Sequence, residues 1–103
     1  MTTAELKART KDFALRVIRL VDALPNTVKG RAIANQIMRS ATSIAANYRG
    51  ACRARSRAEF IAKIGVVEEE ADETAFWLEA SELVAIMAAS RKSAIGNRKS
   101  AIR

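Results

Sequence analysis

Two charged clusters hold most of the reactive chemistry in this chain. Glu68, Glu69, Glu70, Asp72 and Glu73 crowd five carboxylates into six residues, and Arg49, Arg53, Arg55 and Arg57 gather four guanidinium groups into nine. Carboxylates in such number could share a hard cation such as magnesium between subunits, but that requires oxygen ligands converging on one point, and an acidic run on a helix is more commonly a solvated or ion-paired face. The sequence has no histidine and a single cysteine, Cys52. Neither a His/Cys zinc cage nor a histidine-based acid/base pair can be assembled within one subunit. The reading is therefore of a protein without catalytic residues, cofactor or metal, and the chemistry left to explain is ionic.

Polyanion binding suits the arginines. Arg49 and Arg53 stand one helical turn apart, and Arg55 and Arg57 carry the charge into the next connection. Phosphates are attracted to such a surface by charge alone, with counterion release as the driving term. No aromatic side chains alternate with these arginines to stack bases. Contact with the backbone of RNA or DNA is thus the expected mode, and the competing reading is a solvated rim that keeps the protein soluble.

The formal net charge of +7 conceals a segregation. Residues 1–57 carry 12 basic and 3 acidic side chains, residues 58–82 carry 1 and 8, and the remaining 21 carry five basic and no acidic ones. Packing the acidic segment beside the basic ones neutralises much of this charge inside the domain or between subunits, leaving only the surplus for a partner.

Helical periodicity must position these groups. Leu6, Phe13, Val17, Leu20 and Leu24 line one face of a first helix, opened by the capping box Thr2/Glu5 and stopped at Leu24-Pro25. A turn through Pro25, Asn26 and Thr27 follows. Ile33, Ile37, Ile44 and Tyr48 then form the stripe of a second helix from about Val28 to about Arg53, with Ser40 and Ala41 small enough for a neighbouring helix to approach. Ser56 and Glu59 form a second capping box, which opens a third helix whose core face is Phe60, Ile64, Val67, Ala71, Thr74 and Leu78. Between Gly65 and Gly96 there is neither glycine nor proline, so one helix can run on through Leu83, Ile86 and Met87; Ser81 offers a cap for a separate fourth helix, without a capping box.

These elements give one all-helical domain over residues 1–90. A basic tail over 91–103 repeats Arg91-Lys92-Ser93-Ala94-Ile95 as Arg98-Lys99-Ser100-Ala101-Ile102, and it reads as frayed, with a clamp on phosphates as the other use for it. No apolar run approaches a membrane span. A lone thiol and no apolar leader fit a cytoplasmic protein, with Cys52 as a small packing residue.

Along the second helix Gln36, Ser40, Ser43 and Asn47 fall at spacings of four, three and four and form one polar strip. Buried, such groups must be paired, and their expected task is to fix helix register or subunit contact. Arg39 is expected to bridge Glu70 or Glu73 on the third helix, since arginine matches carboxylates readily. Phe76 and Trp77 are expected as core or interface anchors.

The run Gln36-Ile37-Met38-Arg39-Ser40-Ala41-Thr42-Ser43-Ile44-Ala45-Ala46-Asn47-Tyr48-Arg49, together with Leu24-Pro25, Glu59-Phe60, Glu70-Ala71-Asp72-Glu73-Thr74 and Phe76-Trp77-Leu78-Glu79, resembles the bacterial 23S rRNA intervening-sequence family of four-helix-bundle proteins. The likeness covers roughly residues 13–90. It implies an up-and-down bundle assembled as a ring-shaped homopentamer. The accessory protein of diversity-generating retroelements is similar in architecture and binds nucleic acid and a reverse transcriptase through a basic surface, so the resemblance also implies a nucleic-acid or protein partner.

The chain departs from that pattern twice. Gly50-Ala51 stands where the family carries a glutamate followed by a small residue, which removes a carboxylate. Glu79-Ala80-Ser81 leads straight into Glu82-Leu83 where the family has a longer spacer. Helices three and four are therefore either joined by an unusually short turn or fused into one helix that reaches toward a neighbouring subunit. The functional expectation is a non-enzymatic oligomer that binds RNA or DNA. The alternative is an assembly scaffold whose acidic third helix and basic second helix serve protein contacts.

Overall fold

A computed structural model describes the backbone of residues 1–102 and, within it, the side chains of residues 1–87 and 89–96. Three helices make up the fold: α1 (Thr3–Val21), α2 (Val28–Cys52) and α3 (Arg57–Ile102). They form a rod 71 × 20 × 20 Å. The length belongs to α3, whose 46 residues span about 69 Å at about 1.5 Å per residue.

Each start has a local cause. The Thr2 hydroxyl accepts from the Glu5 amide at 3.1 Å and the Glu5 carboxylate accepts from the Thr2 amide at 3.0 Å, so two amides without helical partners are satisfied reciprocally. Thr27 opens α2 by accepting from the Gly30 amide at 3.0 Å. At α3 the Ser56 hydroxyl accepts from the Glu59 amide at 3.1 Å, but the returning Glu59 carboxylate takes the amide of Arg55, at 3.0 Å, instead of that of Ser56. The first helix ends at Val21, ahead of Leu24-Pro25; the chain leaves it through i to i−3 bonds from Ala23 to Leu20 and from Leu24 to Val21.

No turn interrupts residues 79–82. Ser81 is buried and its hydroxyl donates to the Leu78 carbonyl at 2.8 Å, so it caps nothing and the helix passes through it. Helices three and four are one element, α3, which runs without a glycine or proline between Gly65 and Gly96.

The core lies where α2 is sandwiched between its neighbours. Val17, Ile37 and Ala41 form its centre, with Val21, Leu24, Ile33, Trp77 and Leu78 packed around them. Both α1 and α3 pack on α2, and among the described residues the backbones of α1 and α3 do not come close to each other. A groove consequently runs between them, lined by Leu6, Phe13, Ile44, Ala75 and Leu78. This explains two departures from the expected α1 face: Phe13 and Leu20 keep 38% and 50% of their surface exposed, because the periodic stripe of α1 is wider than the single helix that covers it. On α3, Thr74 is buried as expected, whereas Phe60 and Ala71 are exposed.

Candidate nucleic-acid interface

The connection between α2 and α3 assembles the basic end of the rod. Arg49 occupies the last turn of α2, Arg53 is its C-cap, Arg55 lies in the connection and Arg57 begins α3. All four are exposed. The chain turns here through short-range bonds, from the Arg53 amide to the Gly50 carbonyl and from the Ala54 amide to the Ala51 carbonyl, both 3.1 Å, so the arginines ride on an ordered corner. Lysine joins them: Lys63 Nζ lies over Gly50, 3.4 Å from where a Cβ on that glycine would stand. Spacing from the α2 arginines could not reveal Lys63, because its proximity depends on how α3 crosses α2. The nearby carboxylate, Glu59, accepts from the Arg55 amide at 3.0 Å.

Arg39 is engaged quite differently. Its Nη1 stands 3.4 Å from both Glu70 oxygens and its Nη2 donates to Glu73, which also accepts from Trp77 Nε1 at 3.3 Å. Arg39, expected to bridge Glu70 or Glu73, pairs with both, with Trp77 as a further donor and Phe76 set edge-on against its ring at 5.0 Å. The hydrogen bond to Glu73 holds the Arg39 guanidinium above its ordinary pKa. Glu73 is held below the usual carboxylate range by Arg39 first and by Trp77 second. Among the described residues these are the salt bridges present, so Arg49, Arg53, Arg55 and Arg57 form none there.

A titration follows from this geometry. A carboxylate with a lowered folded-state pKa contributes stability that is fully present above its unfolded value, about 4.3 for glutamate, and is lost as pH falls through the folded value. An NMR titration of the Glu73 carboxyl is expected to give a midpoint below about 4.3. Arg39→Gln should raise it, and a midpoint indifferent to that substitution would contradict the bridge.

The polar strip of α2 divides into two parts. Ser40 is fully buried and receives a 2.8 Å hydrogen bond from Thr74 of α3 while donating to the Gln36 carbonyl at 2.9 Å, so it fixes the register of α2 on α3. Ser43 and Asn47 instead pair along the helix, the Asn47 amide donating to the Ser43 hydroxyl at 2.8 Å and to its carbonyl at 2.9 Å. Half-buried Cys52 lies one turn beyond Tyr48, whose hydroxyl is pushed up in pKa by burial and then by Cys52.

The acidic run is spread around α3. Glu68, Glu69 and Asp72 border a shallow hollow beside Gly65, while Glu70 and Glu73 turn to Arg39. Among the described residues no group of three or more acidic or cysteine side chains is placed to hold a metal ion. No helix among them is long and apolar enough to cross a membrane.

The family model for the 23S rRNA-intervening sequence protein matches residues 3–102. The chain is also similar to a protein with unknown function from the S23 ribosomal protein family of Bacteroides thetaiotaomicron. That crystal structure shares 42% sequence identity and a TM-score of 0.70, over 78% of this chain and 71% of the other. No curated protein matches the chain.

Proposed function

Because the chain belongs to the 23S rRNA-intervening sequence protein family, we propose that it is a non-enzymatic, self-associating helical protein that binds RNA through the basic end of its rod. The observation that carries this reading is the division of labour among the arginines. Arg39 is spent on Glu70 and Glu73, whereas Arg49, Arg53, Arg55 and Arg57 face solvent at one corner with Lys63 beside them. A corner of this kind recognises phosphates by charge and spacing, without base stacking. The pentamer implied by the family likeness would repeat the corner around a ring and convert weak contacts into avid ones.

Salt dependence tests it. Affinity for a short single-stranded RNA should fall steeply as salt rises, and replacing Arg49, Arg53, Arg55 and Arg57 with alanine should reduce the slope of log K against log salt by about 3 per bound chain, at about 0.7 for each phosphate no longer neutralised. Circular dichroism of the variant confirms that the helices are intact. An unchanged slope removes the corner from the interface. If RNA fails to bind even at low salt, the assembly-scaffold reading takes its place, and the exposed apolar residues of α3 favour that reading.

A further inference from the structure

Along α3 runs a stripe that stays largely exposed among the described residues, although Leu83 and Met87 also border a hollow with Pro25 and Val28 where α2 begins. Phe76, Ala80, Leu83, Met87, Ser90 and Ala94 recur at intervals of four, three, four, three and four, the spacing of a coiled-coil seam. Its large members are exposed in the single chain: Phe76 by 59%, Leu83 by 58% and Met87 by 62%, with Ile86 beside them at 49%. A contiguous apolar stripe on an uninterrupted helix is an interface awaiting a partner.

We propose that the partner is a second copy of this chain, packed antiparallel along α3 about a twofold axis at the level of Ser81 and Glu82. Charge selects both the partner and its direction. The stripe is flanked on its N-terminal side by Glu68, Glu69 and Asp72 and on its C-terminal side by Arg91. A parallel pairing would set each of these groups against its own copy, whereas the antiparallel one brings opposite signs together. In this register Asp72 meets Arg91 of the other copy, Phe76 meets Met87, and Ala80 meets Leu83. Every large side chain thus faces a flexible or small one, as a close-packed seam requires. The partner approaches a face of α3 other than the one Thr74 and Ser81 bury against the bundle, so both bundles remain intact.

The pairing stands apart from RNA binding. It lies in the second half of α3, and it holds the two basic corners roughly 70 Å apart at about 1.5 Å per residue. Between single chains it gives a dimer and between fivefold rings a decamer; either mass is an even multiple of the chain.

Light scattering on the full chain across a concentration range is the first measurement. The expected mass is an even multiple, and the double variant Leu83→Glu, Met87→Glu should halve it with helical content unchanged, because both positions are exposed in the single chain. Orientation is read by disulfide trapping in a Cys52→Ser background, which does not depend on how the glutamate variant behaves. Mixing a Phe76→Cys chain with a Met87→Cys chain should give the mixed disulfide, with little cross-linking in either chain alone. A monomer, an odd multiple, a mass untouched by the two glutamates, or efficient Phe76→Cys self-cross-linking would each overturn the proposal.

Discussion

Replacing Ile37 with alanine is expected to destabilise the fold by about 2 to 5 kcal/mol, the range for removing a large aliphatic side chain from a closed core. Ile37 is fully buried, and among the described residues Val17 and Ala41 share the centre of the cluster with it. A domain of this size has about 5 to 15 kcal/mol in total, so one substitution removes a large fraction of it. The site cannot collapse easily to fill the void, because its neighbours are held from both sides: Ala41 has no further reach, and the adjacent Ser40 is fixed to Thr74 at 2.8 Å. Urea unfolding at a fixed protein concentration provides the check, with the midpoint falling and the slope unchanged. The same shortening at Ile61, which is 60% exposed, should change the stability by no more than about 0.5 kcal/mol. Equal costs at the two positions would mean that the core is not where α2 places it.

That contrast shows why the sequence was informative about α2 and less so about its neighbours. The second helix is covered on two sides, so its periodic residues Ile37, Ile44 and Tyr48 have no choice of environment and their burial follows from spacing. Its polar partner Ser40 and the ion pairs of Arg39 were legible for the same reason: residue types with few alternatives lie opposite complementary ones on α3. Periodicity cannot say how many helices cover a stripe. Phe13 and Leu20 obey the α1 pattern and are nevertheless exposed, because among the described residues no fourth element closes the groove between α1 and α3.

The fate of α3 shows the other limit. Absence of a breaker between Gly65 and Gly96 permits either a continuous helix or a hairpin, and local propensity does not choose between them. Continuity makes Phe76, Leu83 and Met87 part of one straight seam, which a hairpin would have divided between two helices. The basic corner was half legible. Arg49, Arg53, Arg55 and Arg57 could be read as neighbours along the chain, but Lys63 joins them only through the crossing of α3 over Gly50.

Gly30→Ala is expected to destabilise the protein by about 1 to 3 kcal/mol, the usual cost of forcing a methyl group into a filled space. Backbone conformation is not the reason, since no glycine among the described residues has a positive φ. Space is the reason. A Cβ on Gly30 would stand 2.0 Å from the Pro25 carbonyl oxygen, 3.1 Å from its carbon and 3.2 Å from the Thr27 hydroxyl. The first two belong to the backbone and cannot rotate away. The Pro25 oxygen also accepts from the Thr27 amide at 2.9 Å, and the Thr27 hydroxyl caps α2 through the Gly30 amide. Displacing one therefore loosens the turn and the cap together. Gly65 supplies the opposite sign: a Cβ there meets nothing within 4 Å, so Gly65→Ala should stabilise the helix by roughly 0.5 to 1 kcal/mol. Chemical denaturation of the two variants side by side separates close approach from helix propensity, because propensity alone would make both substitutions stabilising. If Gly30→Ala matched or exceeded the parent, the turn that seats α1 on α2 could not be packed against α2 as described. The basic corner lies at the other end of α2 from Gly30, so the salt-dependent RNA binding proposed above should be the same in the Gly30→Ala molecules that remain folded.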